Sequence, residues 1–203
     1  MLQMNLPDWL SACLYWVRWK ACGCIPSKIG GEERIMRTIF HPANFNKKKG
    51  TLKSNFMRPP ANDADEDDAT IQSNKLSTTR YDYAGIEFCR SHARAHQSEP
   101  CRHYWGFGRF VVNCLETPRM IENSSFVCKV KCKPADDNPA HANIDLGFRL
   151  KIGEPLDGQA QEYIKQLAES AEIYEDPNPT GDQWTGRVID NPMFGTLKYK
   201  AKP

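Results

Sequence analysis

Alternating polar and apolar residues recur along this chain and predict β-strands. The clearest alternations cover residues 36–40, 126–132 and 142–152, where apolar side chains recur at every second position. Residues 76–81 and 102–115 are rich in β-branched and aromatic side chains, a composition that also favours strands. These segments predict a sheet of about five or six strands.

Two segments have helical rather than strand periodicity. Residues 83–97 follow Asp82, which we expect to act as the helix N-cap, and residues 156–170 place apolar side chains at helical spacing. The strands do not alternate regularly with helices, as they would in a doubly wound fold. The pattern therefore predicts an α+β fold, with an antiparallel or mixed sheet and one or two packed helices.

The sequence also indicates a turn and an irregular strand. The polar run at residues 46–50 predicts a turn or short hairpin, with Phe45 and Leu52 directed inward. Gly106 and Gly108 interrupt an otherwise strong strand. Glycine inside a strand indicates a bulge or the close approach of another group.

The first 35 residues are expected to lie outside the folded domain. Residues 30–33 (GGEE) can be encoded by a purine-rich run upstream of Met36, which is what a translated bacterial ribosome-binding site resembles. We therefore predict a native start at Met36; an amphipathic helix on the domain or on a membrane surface is the alternative for this stretch. A single domain over residues 36–175 and a loosely packed, proline-rich tail over residues 176–203 complete the expected organisation.

Composition narrows the functional classes. The formal net charge of the 203 residues is only +2, so overall charge gives no case for a nucleic-acid or membrane partner. No apolar run is long enough for a transmembrane helix. The eight cysteines lack the regular spacing of a disulfide scaffold, which favours reduced thiols and a cytoplasmic location.

Positive charge is nevertheless concentrated in one segment. No acidic residue lies between Asn44 and Pro60, and the acidic run at residues 62–68 follows directly. Such a segment can bind phosphate or nucleic acid, with Tyr104 and Trp105 as stacking platforms, or can simply be neutralised by the acidic run. The candidate phosphate-binding residues are Lys47, Lys48, Lys49, Lys53 and Arg58.

Cysteine and histidine side chains cluster on one face of the first predicted helix. Cys89, His92 and His96 are spaced i, i+3 and i+7, and Cys101 and His103 follow closely. Cysteine and histidine are the usual ligands of zinc, so four of these residues form a candidate zinc site. No C-x2-C pair or metalloprotease helix motif supports it. The alternative is a buried Cys89 with exposed histidines.

A third set of candidates is spread over three predicted strands: His41, Ser77, Arg80 and His141. A histidine at a strand end, a Ser-Thr strand and an arginine resemble, in part, enzymes that transfer ADP-ribose from NAD. The resemblance implies that His41 and Arg80 hold NAD and that Ser77 shapes the pocket, but the acidic residue of those enzymes is not identified here. The alternative is structural: the histidines bond neighbouring loops and Arg80 pairs with Asp82.

A second resemblance extends over more of the chain. The phrases at residues 40–45 (FHPANF), 76–80 (LSTTR) and 137–142 (DNPAHA) resemble small bacterial proteins of mobile-element or defence loci that have no established activity. No complete catalytic motif is present. The leading hypothesis is therefore a small cytoplasmic bacterial binding or accessory module with a protein partner. An NAD-using ADP-ribosyltransferase-like enzyme and a nucleic-acid-binding protein are the alternatives.

Overall fold

A computed structural model describes residues 25–59, 64–65, 68–97, 102–194 and 197–198. The strands are β1 (Arg34–Pro42), β2 (Phe45–Asn46), β3 (Thr51–Leu52), β4 (Ile71–Gln72), β5 (Lys75–Arg80), β6 (Arg102–Val111), β7 (Arg119–Ile121), β8 (Ser124–Phe126), β9 (Lys129–Cys132), β10 (His141–Asp145), β11 (Leu150–Lys151) and β12 (Glu172–Glu175). The helices are α1 (Tyr81–Ala95), α2 (Val112–Glu116) and α3 (Gly158–Glu169), with a 3-10 turn at Ser54–Met57.

A six-stranded sheet in the order β12-β6-β1-β5-β10-β9 forms the centre of the fold. Every neighbouring pair in it is antiparallel. The predicted α+β class and strand number are confirmed. None of the helices in the described part of the chain is long and apolar enough to cross a bilayer.

The two faces of the sheet carry separate hydrophobic cores. Ile35 and Ile39 of β1 pack on the α3 side, whereas Met36 and Phe40 pack on the α1 side. This division follows from the strand geometry, because successive side chains point to opposite faces. The helices α1 and α3 therefore cover opposite faces of the sheet.

Each long helix begins where its first turn is held by polar contacts. Asp157 caps α3 by accepting a hydrogen bond from the Ala160 backbone N–H at 2.7 Å, and α3 agrees closely with the predicted helix. The predicted N-cap of α1 is wrong. Asp82 lies inside α1, where its carboxylate accepts from the Arg34 backbone N–H at 2.8 Å.

The two strand glycines have the predicted role. The register of the β1–β6 pairing shifts between Ile39 and Phe40 of β1. Trp105 of β6 is thereby left as the extra residue of a bulge. A Cβ atom at Gly106 would lie 2.2 Å from the Tyr174 carbonyl oxygen of β12. Glycine at position 106 is therefore required by the close approach of the edge strand.

Several predicted strands differ from the observed elements. The strand predicted over residues 126–132 is divided between β8 and β9, which belong to separate sheets. The strand predicted to reach residue 115 ends at Val111, where α2 begins. The strand predicted over residues 142–152 is split into β10 and β11 around Gly147, whose φ of 78° lies in the left-handed region. The edge strand β12 is not predicted because a four-residue strand gives too short a periodic signal.

Both ends of the described chain pack on this domain. Glu33 is buried against Arg80 of β5, and Ile189 and Phe194 are buried in the core beside α1. The Phe194 backbone N–H donates to the Asp82 carbonyl at 2.9 Å. The start at Met36 and the bounds of the domain stay predictions.

Candidate functional site

A cavity of about 470 Å³ opens where two central strands separate. β1 and β5 pair only at Ile35–Arg80 and Met36–Thr79, next to the start of α1. We call the space beyond this point the His141 cavity. Its polar lining includes Arg37, Ser77, His92, His96, Arg102, Asp137 and His141.

Arg37 connects the two separated strands. Its Nε donates to the Phe56 carbonyl at 2.8 Å, and one terminal nitrogen donates to the Ser77 carbonyl at 2.7 Å. Burial and the positive charge of Arg102 lower the pKa of Arg37 to about 10. Arg102 itself lies over the Phe40 ring, 4.3 Å from its centroid. Two positive side chains therefore line one cavity and repel each other.

Ser77 and His141 form a hydrogen-bonded pair across β5 and β10. The Ser77 Oγ lies 2.8 Å from His141 Nε2, and His141 Nδ1 lies 2.6 Å from the Lys133 carbonyl oxygen. Because a carbonyl oxygen only accepts, Nδ1 carries the ring proton and Nε2 accepts the Ser77 hydroxyl proton. The contacts thus resemble a nucleophile, a base and a group that orients the base.

A second polar cluster stands at the end of α1. Asp137 lies on the loop between β9 and β10, and its Oδ2 is 3.7 Å from His92 Nε2 and 3.3 Å from His96 Nε2. The two imidazole rings are 4.3 Å apart between centroids. Burial, and then the neighbouring His96, lower the pKa of His92 to about 4 despite the opposing charge of Asp137. His92 is therefore neutral at pH 7.

The buried arginine of β5 faces away from the cavity. The Arg80 Nε and one terminal nitrogen each donate to Glu33 at 2.8 Å, and the same terminal nitrogen also donates to the Lys28 carbonyl at 3.3 Å. The expected alternative partner, Asp82, is instead bonded to Arg34. Of the four candidates in the NAD-binding set, the structure brings together Ser77 and His141 in the cavity, but not Arg80.

His41, the remaining member of that set, lies at the end of β1 outside the cavity lining. It pairs with His103 of β6 across the sheet. Burial, then the positive charges of Lys47 and Lys53, and then His103 lower the pKa of His41. This end of the sheet is therefore electropositive.

The predicted phosphate-binding residues lie beside this end of the sheet. Lys47, Lys48 and Lys49 are exposed in the turn between β2 and β3, which is the predicted hairpin. Lys53 donates to the Pro42 carbonyl at 2.6 Å, and Arg58 is exposed beyond the 3-10 turn.

The predicted stacking role of two aromatic residues is wrong, because both are buried. Trp105 stacks on Phe45 with ring centroids 3.9 Å apart, inside the core beside α3. Tyr104 lies in the opposite core, where its hydroxyl donates to Asp176. Neither side chain presents a ring face to a nucleic acid.

The predicted zinc set is brought together only in part. His92 and His96 are adjacent, but Cys89 is buried in the core, where burial raises the pKa of its thiol. His103 lies on β6 opposite His41, and Cys101 lies outside the described residues. Within the described part of the chain, the group with metal-ligand spacing is His92, His96 and Asp137.

Sequence reasoning missed Arg37, Arg102 and Asp137 as site residues. Arg37 is the charged member of an otherwise apolar inward set with Ile35 and Ile39, which is the one signal that could have identified it. Asp137 and Arg102 have no comparable signal. They join the cavity only through the placement of a loop and of a strand end.

Comparison of the chain with protein-family models, with curated proteins and with solved structures finds no match. The two arginines and the Ser77–His141 pair are the features that bear on function most directly.

Proposed function

We propose that this protein is a binding module whose His141 cavity takes an anionic ligand that carries a phosphate or carboxylate group. The observation that carries the proposal is the placement of Arg37 and Arg102 in one cavity, close enough that their charges interact. The hydrogen bonds from Arg37 go to the Phe56 and Ser77 carbonyls, which do not neutralise its charge. A bound anion would relieve this repulsion and accept charge-assisted hydrogen bonds.

Pyrophosphate titrated into the full chain tests the proposal, with binding followed by calorimetry. Arg102→Gln is expected to weaken the affinity roughly 10- to 100-fold, because a hydrogen bond to a charged group contributes about 1.5–3 kcal/mol. Arg102 is exposed, so the substitution leaves the fold intact. The affinity should fall as salt is added.

Arg149→Gln is the matched control, since it removes the same charge from an exposed position outside the cavity lining. We expect this control to keep the wild-type affinity. Equal weakening by Arg149→Gln and Arg102→Gln would show that binding depends on surface charge and would refute the cavity proposal. NAD, whose pyrophosphate carries the same chemistry, is the second ligand to titrate.

Ester hydrolysis at Ser77 is a second candidate function, favoured by the 2.8 Å contact between the Ser77 oxygen and His141. His141 Nε2 would take the hydroxyl proton while Ser77 Oγ forms a bond to the electrophilic carbonyl carbon or phosphorus of the ester. The leaving group would depart with that proton, and water would then hydrolyse the serine adduct. An anion-binding site beside this pair would suit an ester substrate that carries a negative charge.

A fluorophosphonate probe tests this candidate. We expect mass spectrometry to locate the adduct on Ser77, with labelling at least about tenfold slower in His141→Gln because the general base is lost. Ser125→Ala, in an exposed position on β8, should leave labelling unchanged. Labelling that survives Ser77→Ala at the wild-type rate would eliminate Ser77 as the nucleophile.

The remaining functional predictions rest on the sequence. The described cysteines, Cys89, Cys114, Cys128 and Cys132, are free thiols, which supports a reducing, cytoplasmic location. A bacterial source, a mobile-element or defence context, a protein partner and a nucleic-acid partner stay predictions.

A further inference from the structure

We propose that His92, His96 and Asp137 form a binding site for a divalent first-row transition-metal ion. This site goes beyond the proposed anion binding, because it uses a different set of side chains, from the end of α1 and the β9–β10 loop, at the edge of the same cavity. Imidazole nitrogen together with carboxylate oxygen is a donor set suited to Zn²⁺ and to Fe²⁺.

The distances between the donor atoms fit a metal ion. In a tetrahedral site with bonds of about 2.0–2.1 Å, neighbouring donor atoms lie about 3.3–3.4 Å apart. Asp137 Oδ2 lies 3.3 Å from His96 Nε2 and 3.7 Å from His92 Nε2. All three donor atoms lie within 4.8 Å of one another. Small side-chain rotations are therefore enough to surround an ion.

The hydrogen bonds around the cluster orient its donor atoms. His96 Nδ1 lies 2.9 Å from the His92 carbonyl oxygen, so Nδ1 carries a proton and Nε2 is the ring nitrogen that would bind the metal ion. A histidine ligand held through its other ring nitrogen is typical of protein metal sites. The Asp137 loop is held in turn by Asn138, whose Nδ2 donates to Thr79 Oγ1 at 2.7 Å.

Three protein donors leave coordination positions of the ion open to the cavity. Structural zinc sites are usually closed by four protein ligands, whereas sites with three keep a position for water or a bound ligand. The open position would face the space that also contains Arg37, Ser77 and His141. A metal-bound anion would thus lie among the positive side chains of the cavity.

Titration of the reduced full chain with Zn²⁺ and with Co²⁺, after treatment with a chelator, tests the site. We expect a tight site whose affinity falls by at least about 100-fold in His96→Ala and in Asp137→Asn, because loss of a direct ligand exceeds the roughly 10- to 100-fold cost of losing a supporting hydrogen bond. His103→Ala, a histidine on β6 outside the cluster, should keep the wild-type affinity.

The cysteines of the chain offer alternative ligands, so the Co²⁺ spectrum supplies a second readout. Ligation by histidine and aspartate gives visible d–d bands without the intense near-ultraviolet charge-transfer band of Co²⁺–thiolate bonds. A thiolate spectrum, or unchanged affinity in both His96→Ala and Asp137→Asn, would overturn the proposal. Absence of tight binding to the wild-type chain would do the same. Pyrophosphate binding is measured on the chelator-treated protein, so failure of either site is seen separately.

Discussion

Replacement of Glu33 by alanine is expected to lower the free energy of unfolding by about 3–5 kcal/mol. The cost arises because Arg80 would keep a fully buried positive charge without its carboxylate partner. Burial by itself lowers the pKa of Arg80, but the hydrogen bonds and negative charge of Glu33 outweigh burial and raise it. The pair is therefore a net stabiliser of the charged arginine in the folded state.

Urea denaturation measures this effect, and Glu32→Ala is its matched control. Glu32 is an exposed neighbour that accepts a hydrogen bond from the Asn113 side chain at 2.9 Å, so its loss should change stability by no more than about 0.5 kcal/mol. Similar losses for the two variants would contradict the assigned role of Glu33.

The same measurement bears on the predicted start at Met36. A chain that begins there lacks Glu33, so we expect it to be destabilised at least as much as Glu33→Ala. Equal stability of the shortened and full chains would instead agree with a domain that needs nothing before Met36. The comparison is informative because Arg80 is present in both chains.

Asp176→Ala is the second substitution with a large expected effect, also about 3–5 kcal/mol. Asp176 is buried, and its Oδ2 accepts from Arg90 Nε at 2.8 Å and from the Tyr104 hydroxyl at 3.0 Å. Removing the carboxylate leaves the buried guanidinium with two backbone carbonyls and with Glu87, an exposed carboxylate at 3.0 Å. The buried Tyr104 hydroxyl would also lose its acceptor. Both lost contacts weaken the packing of α1 against β6, because Arg90 lies on α1 and Tyr104 lies on β6.

Thermal and urea unfolding of Asp176→Ala and Glu175→Ala check this prediction. Glu175 is the preceding residue on β12 and is exposed, so its substitution should have little effect. Asp176→Tyr or another bulky replacement would confound charge loss with steric strain, which is why alanine is preferred. A stability loss below about 1 kcal/mol for Asp176→Ala would show that the arginine finds other compensation.

The local pattern of the chain was sufficient for the fold class and for most of its elements. Alternation along residues 36–40 places Met36 and Phe40 on one face of β1, and Ile39 on the other, as observed. Gly106 indicated the bulge and close approach on β6. These features are encoded by the types and spacing of residues along each strand, so the sequence alone indicated them.

The membership of the site was decided only by the tertiary structure. The spacing of His92 and His96 predicts that they share a helix face, but not that Asp137 on a distant loop meets them. Nor does any local pattern pair Arg80 with Glu33, 47 positions earlier, rather than with neighbouring Asp82. Partners of charged groups depend on which strands lie side by side and where they separate. That order arises from packing of the whole sheet, and it placed Ser77 and His141 in one cavity and Arg80 outside it.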